Sequence, residues 1–99
     1  MELRMDGRAA LITGGSMGLG RAMALRFAEC GADVAIVARR QDQLDAAKAE
    51  IERHAPGRRI VAHACDVRDA GQVAALFDSV VRDLGKVDIL VNTAGTSQT

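Results

Sequence analysis

Ninety-nine residues with no Trp, no Tyr and only two Phe make one modest domain that has no phenol to offer for chemistry. Thirteen basic residues balance thirteen acidic ones, which argues against nucleic acid or an anionic membrane surface as a partner. With 48% hydrophobic residues, no run near the ~20 apolar residues of a membrane span and two cysteines, Cys30 and Cys65, the chain is expected to be soluble, cytoplasmic and reduced.

Along the chain, apolar spacing alternates between two periods. Ala9-Ala10-Leu11-Ile12 is a short apolar run that stops at Thr13-Gly14-Gly15, the pattern of a buried strand ending in a tight turn. Leu19, Met23, Phe27 and Cys30 then recur at helical spacing, and Gly31 is a stop signal. Val34 to Ala38 reads as a second strand. Gln41 to His54 reads as a polar helix with Leu44, Ala47 and Ile51 on one stripe, ended by Pro56-Gly57. Ile60 to Ala64 is the third strand. Val73, Leu76, Phe77, Val80, Val81 and Leu84 mark the clearest helix, closed by Gly85, and Val87 to Val91 is the fourth strand. Strands alternating with helices imply an α/β fold with a parallel sheet, because each crossover returns the chain to the same end. Strands that are nearly all apolar agree with a sheet covered on both faces.

The segment Thr13-Gly14-Gly15-Ser16-Met17-Gly18-Leu19-Gly20 carries the functional signal. It puts Gly18 and Gly20 in the first turn of a helix, where each costs up to about 1 kcal/mol relative to Ala. A pyrophosphate docking on the unpaired amides of that helix N-terminus would offset the cost, since no Cβ stands in its way. A tight turn with close helix–sheet packing explains fewer of these glycines. The P-loop template fails, because Arg21-Ala22 stands where lysine and a hydroxyl are needed, and the spacing does not match G-x-G-x-x-G either.

Thr13 with Gly14-x-x-x-Gly18-x-Gly20 resembles the T-G-x-x-x-G-x-G motif of the short-chain dehydrogenase/reductase family. The resemblance extends over the chain through Arg39 after the second strand, Asp66-Val67 after the third and Asn92-Thr93-Ala94-Gly95 after the fourth. It implies a three-layer, Rossmann-type doubly wound sheet in the order 3-2-1-4 and a nicotinamide dinucleotide as ligand. Gly14, Gly18 and Gly20 would shape the pyrophosphate turn, with Ser16 and the backbone near Leu19 touching the cofactor. Asp66 would accept from the adenine amino group, with Val67 beside the ring. Asn92, Ala94 and Gly95 would match the family's N-N-A-G segment, in which Thr93 replaces the second Asn.

An NAD-specific site places a carboxylate at the end of the second strand to bind the adenosine ribose. Ala38 stands there instead, followed by Arg39 and Arg40, so NADP(H) is the expected cofactor and NAD the alternative. Arg40 reads equally well as solvated charge. Asp33 and Asp42 are expected at the surface and at a helix start, Arg58-Arg59 as solvated loop charge, and Glu50 on an exposed helix face. His63 and Cys65 alternate on the third strand and make at most half a metal site, so packing is the expected role. His54 suits a helix C-terminus.

The family's Ser, Tyr and Lys lie in the second half of a domain of about 250 residues. The resemblance therefore marks residues 1–99 as the cofactor-binding first part of one domain, inactive alone. In the full-length enzyme the expected reaction is hydride transfer between nicotinamide and a small-molecule carbonyl or alcohol, in a homo-oligomer. The alternative is a complete, non-catalytic dinucleotide-binding or interaction module. An open fourth strand would be a pairing hazard, which predicts an unstable free fragment or a covered edge.

Overall fold

A computed structural model describes residues 4–93. Four strands and three helices alternate: β1 (Ala9–Thr13), α1 (Gly18–Glu29), β2 (Asp33–Ala38), α2 (Gln41–His54), β3 (Ile60–Ala64), α3 (Ala70–Leu84) and β4 (Ile89–Asn92). The strands form one parallel sheet in the order β3-β2-β1-β4, as the resemblance implied. Leu11 lies between Ala35 on β2 and Leu90 on β4, and Ile12 between Ile36 and Val91. The two central strands are the most apolar. Every residue of β1 and Val34 to Val37 of β2 is buried.

Side chains alternate across the pleat, so each strand feeds two cores. Ile12, Val34, Ile36 and Ile60 pack with Leu44, Ala47 and Ile51 of α2 and Ala24 and Ala28 of α1. On the other face Leu11, Ala35 and Val37 meet Leu76, Val80 and Leu84 of α3. These are three layers, helix–sheet–helix.

Two helix stripes differ from expectation. The face of α1 buried on the sheet is Gly20, Ala24 and Ala28, whereas Leu19 is 63% exposed and Met23 and Phe27 are only partly covered. Small residues let the helix axis approach the sheet, and that closeness outweighs the larger apolar surface on the neighbouring face. On α3, Leu76, Val80 and Leu84 are buried, but Phe77 and Val81 stay 40% exposed. Leu90 is 59% exposed and lies beside Leu11, so it projects on the α3 side, where β4 has no helix over it among the described residues.

The fourth strand begins at Ile89 rather than Val87. Before it, Asp88 is drawn to the start of β1: its N–H donates to the Ala9 carbonyl at 2.8 Å, and its Oδ2 accepts from the Ala9 N–H at 2.9 Å. Other charges join elements. Arg21 of α1 meets Glu50 of α2 at 2.7 Å, so Glu50 faces its neighbouring helix and not open solvent. Arg58 donates to the Gly31 carbonyl, and Arg59 donates to the Asp83 carbonyl and, through its N–H, to Asp33 Oδ1. These arginines therefore tie the loop after α2 to its surroundings. They are more than solvated charge.

Candidate functional site

In a parallel sheet all strands point the same way, so their C-terminal ends share one edge. The loops at residues 14–17, 39–40 and 65–69 and the end of β4 at Asn92 all leave from it. The order reverses at β1, whose neighbours β2 and β4 send the chain in opposite directions. Ligands of such sheets bind in the crevice at that switch point.

The glycine turn lies at the crevice. Gly14 has φ +79° and its N–H donates to the Val37 carbonyl at 2.6 Å, which folds the chain back over the end of β2. Gly15 is packed: an added Cβ would lie 2.7 Å from Ile36 Cγ2. Gly18 opens α1 at φ +56°, and a Cβ there would meet none of the described residues within 4 Å. Gly20 is the reverse case. A Cβ would collide with the Gly14 carbonyl oxygen and sit 2.7 Å from Thr93 Oγ1. One glycine thus gives an open approach and the other lets helix, turn and β4 close together. Ser16 is buried beneath the turn, while Met17 and Leu19 are exposed at its rim.

The amides at the head of α1 are available. Met17 is the N-cap residue and makes no side-chain capping bond, and Arg21 N–H is bonded to the Met17 carbonyl. By contrast, α3 is capped by Asp69, whose side chain accepts from Gly71 and Gln72 N–H. An uncapped helix start faced by glycine is a cradle for an anion, with partial positive charge and donors pointing outward.

Asn92 and Thr93 close the β4 side. Thr13 Oγ1 donates to Asn92 Oδ1 at 2.7 Å, and the Thr93 hydroxyl and N–H both donate to the Thr13 carbonyl, at 2.6 and 3.1 Å. Thr93 stands where the family's segment has its second Asn, a change that puts the hydrogen bonds there in question. The fold makes it a fastener between β1, β4 and α1. Ala94 and Gly95, which the sequence also singles out, lie outside the described residues.

On the β2–β3 side, Arg39 and Arg40 are exposed at the end of β2. Arg40 pairs with Asp42 in the first turn of α2 at 3.0 Å, whereas Arg39 makes no hydrogen bond or ion pair among the described residues. The Arg40 pair holds the Asp42 carboxyl below its ordinary pKa. Asp66 accepts from the Arg68 guanidinium and N–H, all at 3.0 Å, and its own N–H donates to Gln72 Oε1 at 2.9 Å. The Arg68 bonds, with Arg39 contributing more weakly through space, lower the Asp66 pKa to about 2. Val67 beside it is 38% exposed. Arg68, Asp69 and Gln72 went unnoticed in the sequence, although Asp three residues before Gln is a capping signature.

Other candidates lie elsewhere. Burial and the carboxylates of Asp66 and Asp69 push the Cys65 thiol up, so it is a buried sulfhydryl and not a nucleophile. His63 Nε2 meets Asp83 Oδ2 of α3 at 3.1 Å. An open cleft of about 480 Å³ lined by Arg4, Asp6, Arg26, Glu29, His54 and Arg58 lies at the opposite edge of the sheet. Arg4 pairs there with Asp6 and Arg26 with Glu29, while Arg58 donates to the Gly31 carbonyl.

A doubly wound parallel sheet with a glycine-lined, uncapped helix start at its switch point defines the dinucleotide-binding class of α/β proteins. Residues 8–99 match the short chain dehydrogenase family model, and the chain belongs to that family. It is 38% identical over 97 residues to D-threitol dehydrogenase of Mycolicibacterium smegmatis, covering 98% of this chain and 36% of that protein. L-sorbose reductase of Gluconobacter frateurii, solved with NADPH and L-sorbose, superposes with a TM-score of 0.89 at 40% identity, over 96% of this chain and 36% of that one. A 7α-hydroxysteroid dehydrogenase solved with NADH gives 0.86 at 38% identity, over 92% and 35%. The chain spans about a third of the length of the relatives it matches.

Proposed function

We propose that residues 1–99 form the coenzyme-binding part of an NADP(H)-dependent oxidoreductase acting on a small carbonyl or alcohol compound. The reading rests on the open, uncapped amides at the head of α1 beside Gly18, which suit a diphosphate. Gly14, Ser16, Leu19 and Gly20 would surround that group, Asp66 and Val67 the adenine, and Asn92 with Ala94 and Gly95 the riboses. When bound, the nicotinamide supplies or accepts hydride. The chain's own part is to hold the dinucleotide against the sheet edge. Lacking tyrosine, these 99 residues offer no phenolic proton donor, so they are expected to bind coenzyme without turning over substrate.

Preference for the phosphorylated coenzyme is argued from Ala38 in place of a carboxylate and from the two arginines that follow. Arg39, with no hydrogen bond or ion pair to give up among the described residues, is the stronger candidate for the 2′-phosphate, and Arg40 would have to leave Asp42. Exposed pairs of that kind are weak enough to exchange. Titration calorimetry with NADPH and NADH tests the reading. Arg39→Ala should weaken NADPH binding about ten- to a hundred-fold and leave NADH nearly untouched. An unchanged NADPH affinity would remove Arg39 from the site, and no heat with either coenzyme would end the proposal.

A further inference from the structure

Arg68 bears on Asp66 in a way that goes beyond loop structure. A carboxylate has about four acceptor positions. Asp66 Oδ1 uses two on the Arg68 N–H and Nε, and Oδ2 uses one on Arg68 Nη2. Among the described residues one position remains open, on Oδ2. The Arg68 side chain is itself 74% exposed, so its contribution to packing is small and its main partner is this one carboxylate. The Asp66 backbone is held separately, through Gln72 Oε1, and the next turn through the Asp69 cap. Removing the Arg68 side chain therefore leaves the carboxylate held through Oδ1 alone, by the Arg68 N–H, with Oδ2 unfixed, while the loop's other anchors stay.

We infer that Arg68 is a positioning residue for base recognition: its planar fork fixes Asp66 so that the single open acceptor on Oδ2 meets the exocyclic amine of an adenine. The inference rests on the dinucleotide reading above. An ionised carboxylate is only an acceptor, and the Arg68 fork fixes the oxygen that stays open, which selects an amino group over a carbonyl at that position.

The test uses the full-length protein with NADPH and NADH, each against its hypoxanthine counterpart, in which a carbonyl replaces the adenine amine. Calorimetry on the wild type should show about a ten-fold preference for the amino base. Arg68→Ala should abolish most of that preference, and Arg68→Lys should restore part of it, because an ammonium can hold one oxygen but not both. Two results overturn the inference while leaving the dinucleotide reading intact. One is a preference that is undiminished or larger in Arg68→Ala, which would make Arg68 a competitor of the base. The other is an equal loss of affinity for both bases, which would make its role purely structural. A wild type that binds all four compounds without preference overturns it as well, and one that binds none overturns the reading beneath it.

Discussion

Gly18 and Gly20 stand two residues apart in the same helix turn, yet substitution should harm them for different reasons. At Gly20 a methyl group would strike the Gly14 carbonyl and Thr93 Oγ1, so Gly20→Ala must displace backbone. We expect a loss of about 1–3 kcal/mol in stability, read from denaturant unfolding, together with weaker coenzyme binding. Gly18→Ala meets no neighbour but is held at φ +56°, which costs roughly 1–2 kcal/mol. Its added methyl would stand where the diphosphate is proposed, so affinity should fall more than stability does. At Asp66 the folded-state pKa is depressed from 3.8 to about 2 by the Arg68 bonds. The stabilisation is therefore present above about pH 4 and is lost as pH falls through about 2. Asp66→Asn should flatten that part of an acid-unfolding curve, and an unaltered curve would contradict the pairing.

Among the elements, the three helices differ in how they begin, and the difference separates support from function. Asp69 caps α3 with two backbone bonds, whereas α1 and α2 start without a side-chain cap. Removing the cap in Asp69→Ala should cost about 1 kcal/mol, or roughly 4–8 °C in melting temperature for a domain of this size. The same change releases the loop bearing Asp66 and Val67, so adenine recognition should loosen with it. Installing a cap on α1 by Met17→Asp should do the opposite. It should satisfy the free amides and stabilise the helix, yet repel a diphosphate, giving higher melting temperature with lower coenzyme affinity. Tighter coenzyme binding in that variant would mean that the α1 amides do not face the phosphates.

Across the described residues, the sheet is well covered at β1 and β2 and open toward β4, where Leu90, with Phe77 and Val81 on α3, presents apolar surface. Such surface promotes association. The 99-residue chain should therefore show concentration-dependent scattering that Leu90→Lys reduces, and equal scattering from both would shift the cause elsewhere. The parallel sheet and the glycine turn were legible in the chain, and the strand order followed from the family resemblance. Apolar runs of four to six residues, helical spacing and positive-φ glycines are local signals, and α2 and β3 fall where their residues predict. What a linear reading misjudged was which face a helix buries and which charges meet. Leu19, Met23 and Phe27 read as the core stripe of α1, but the sheet takes Gly20, Ala24 and Ala28, because how closely a helix lies to its neighbour is set by both partners. The partners of Thr93 and Arg68 were beyond a linear reading for the same reason. Residues near in sequence announced the turn, the alternation and the charge balance by themselves. Only tertiary structure brought residue 93 against residues 13 and 20, paired Arg40 with Asp42 but Arg39 with none of the described residues, and turned two strand ends into one crevice, since contacts across eighty residues depend on the packing of every layer between them.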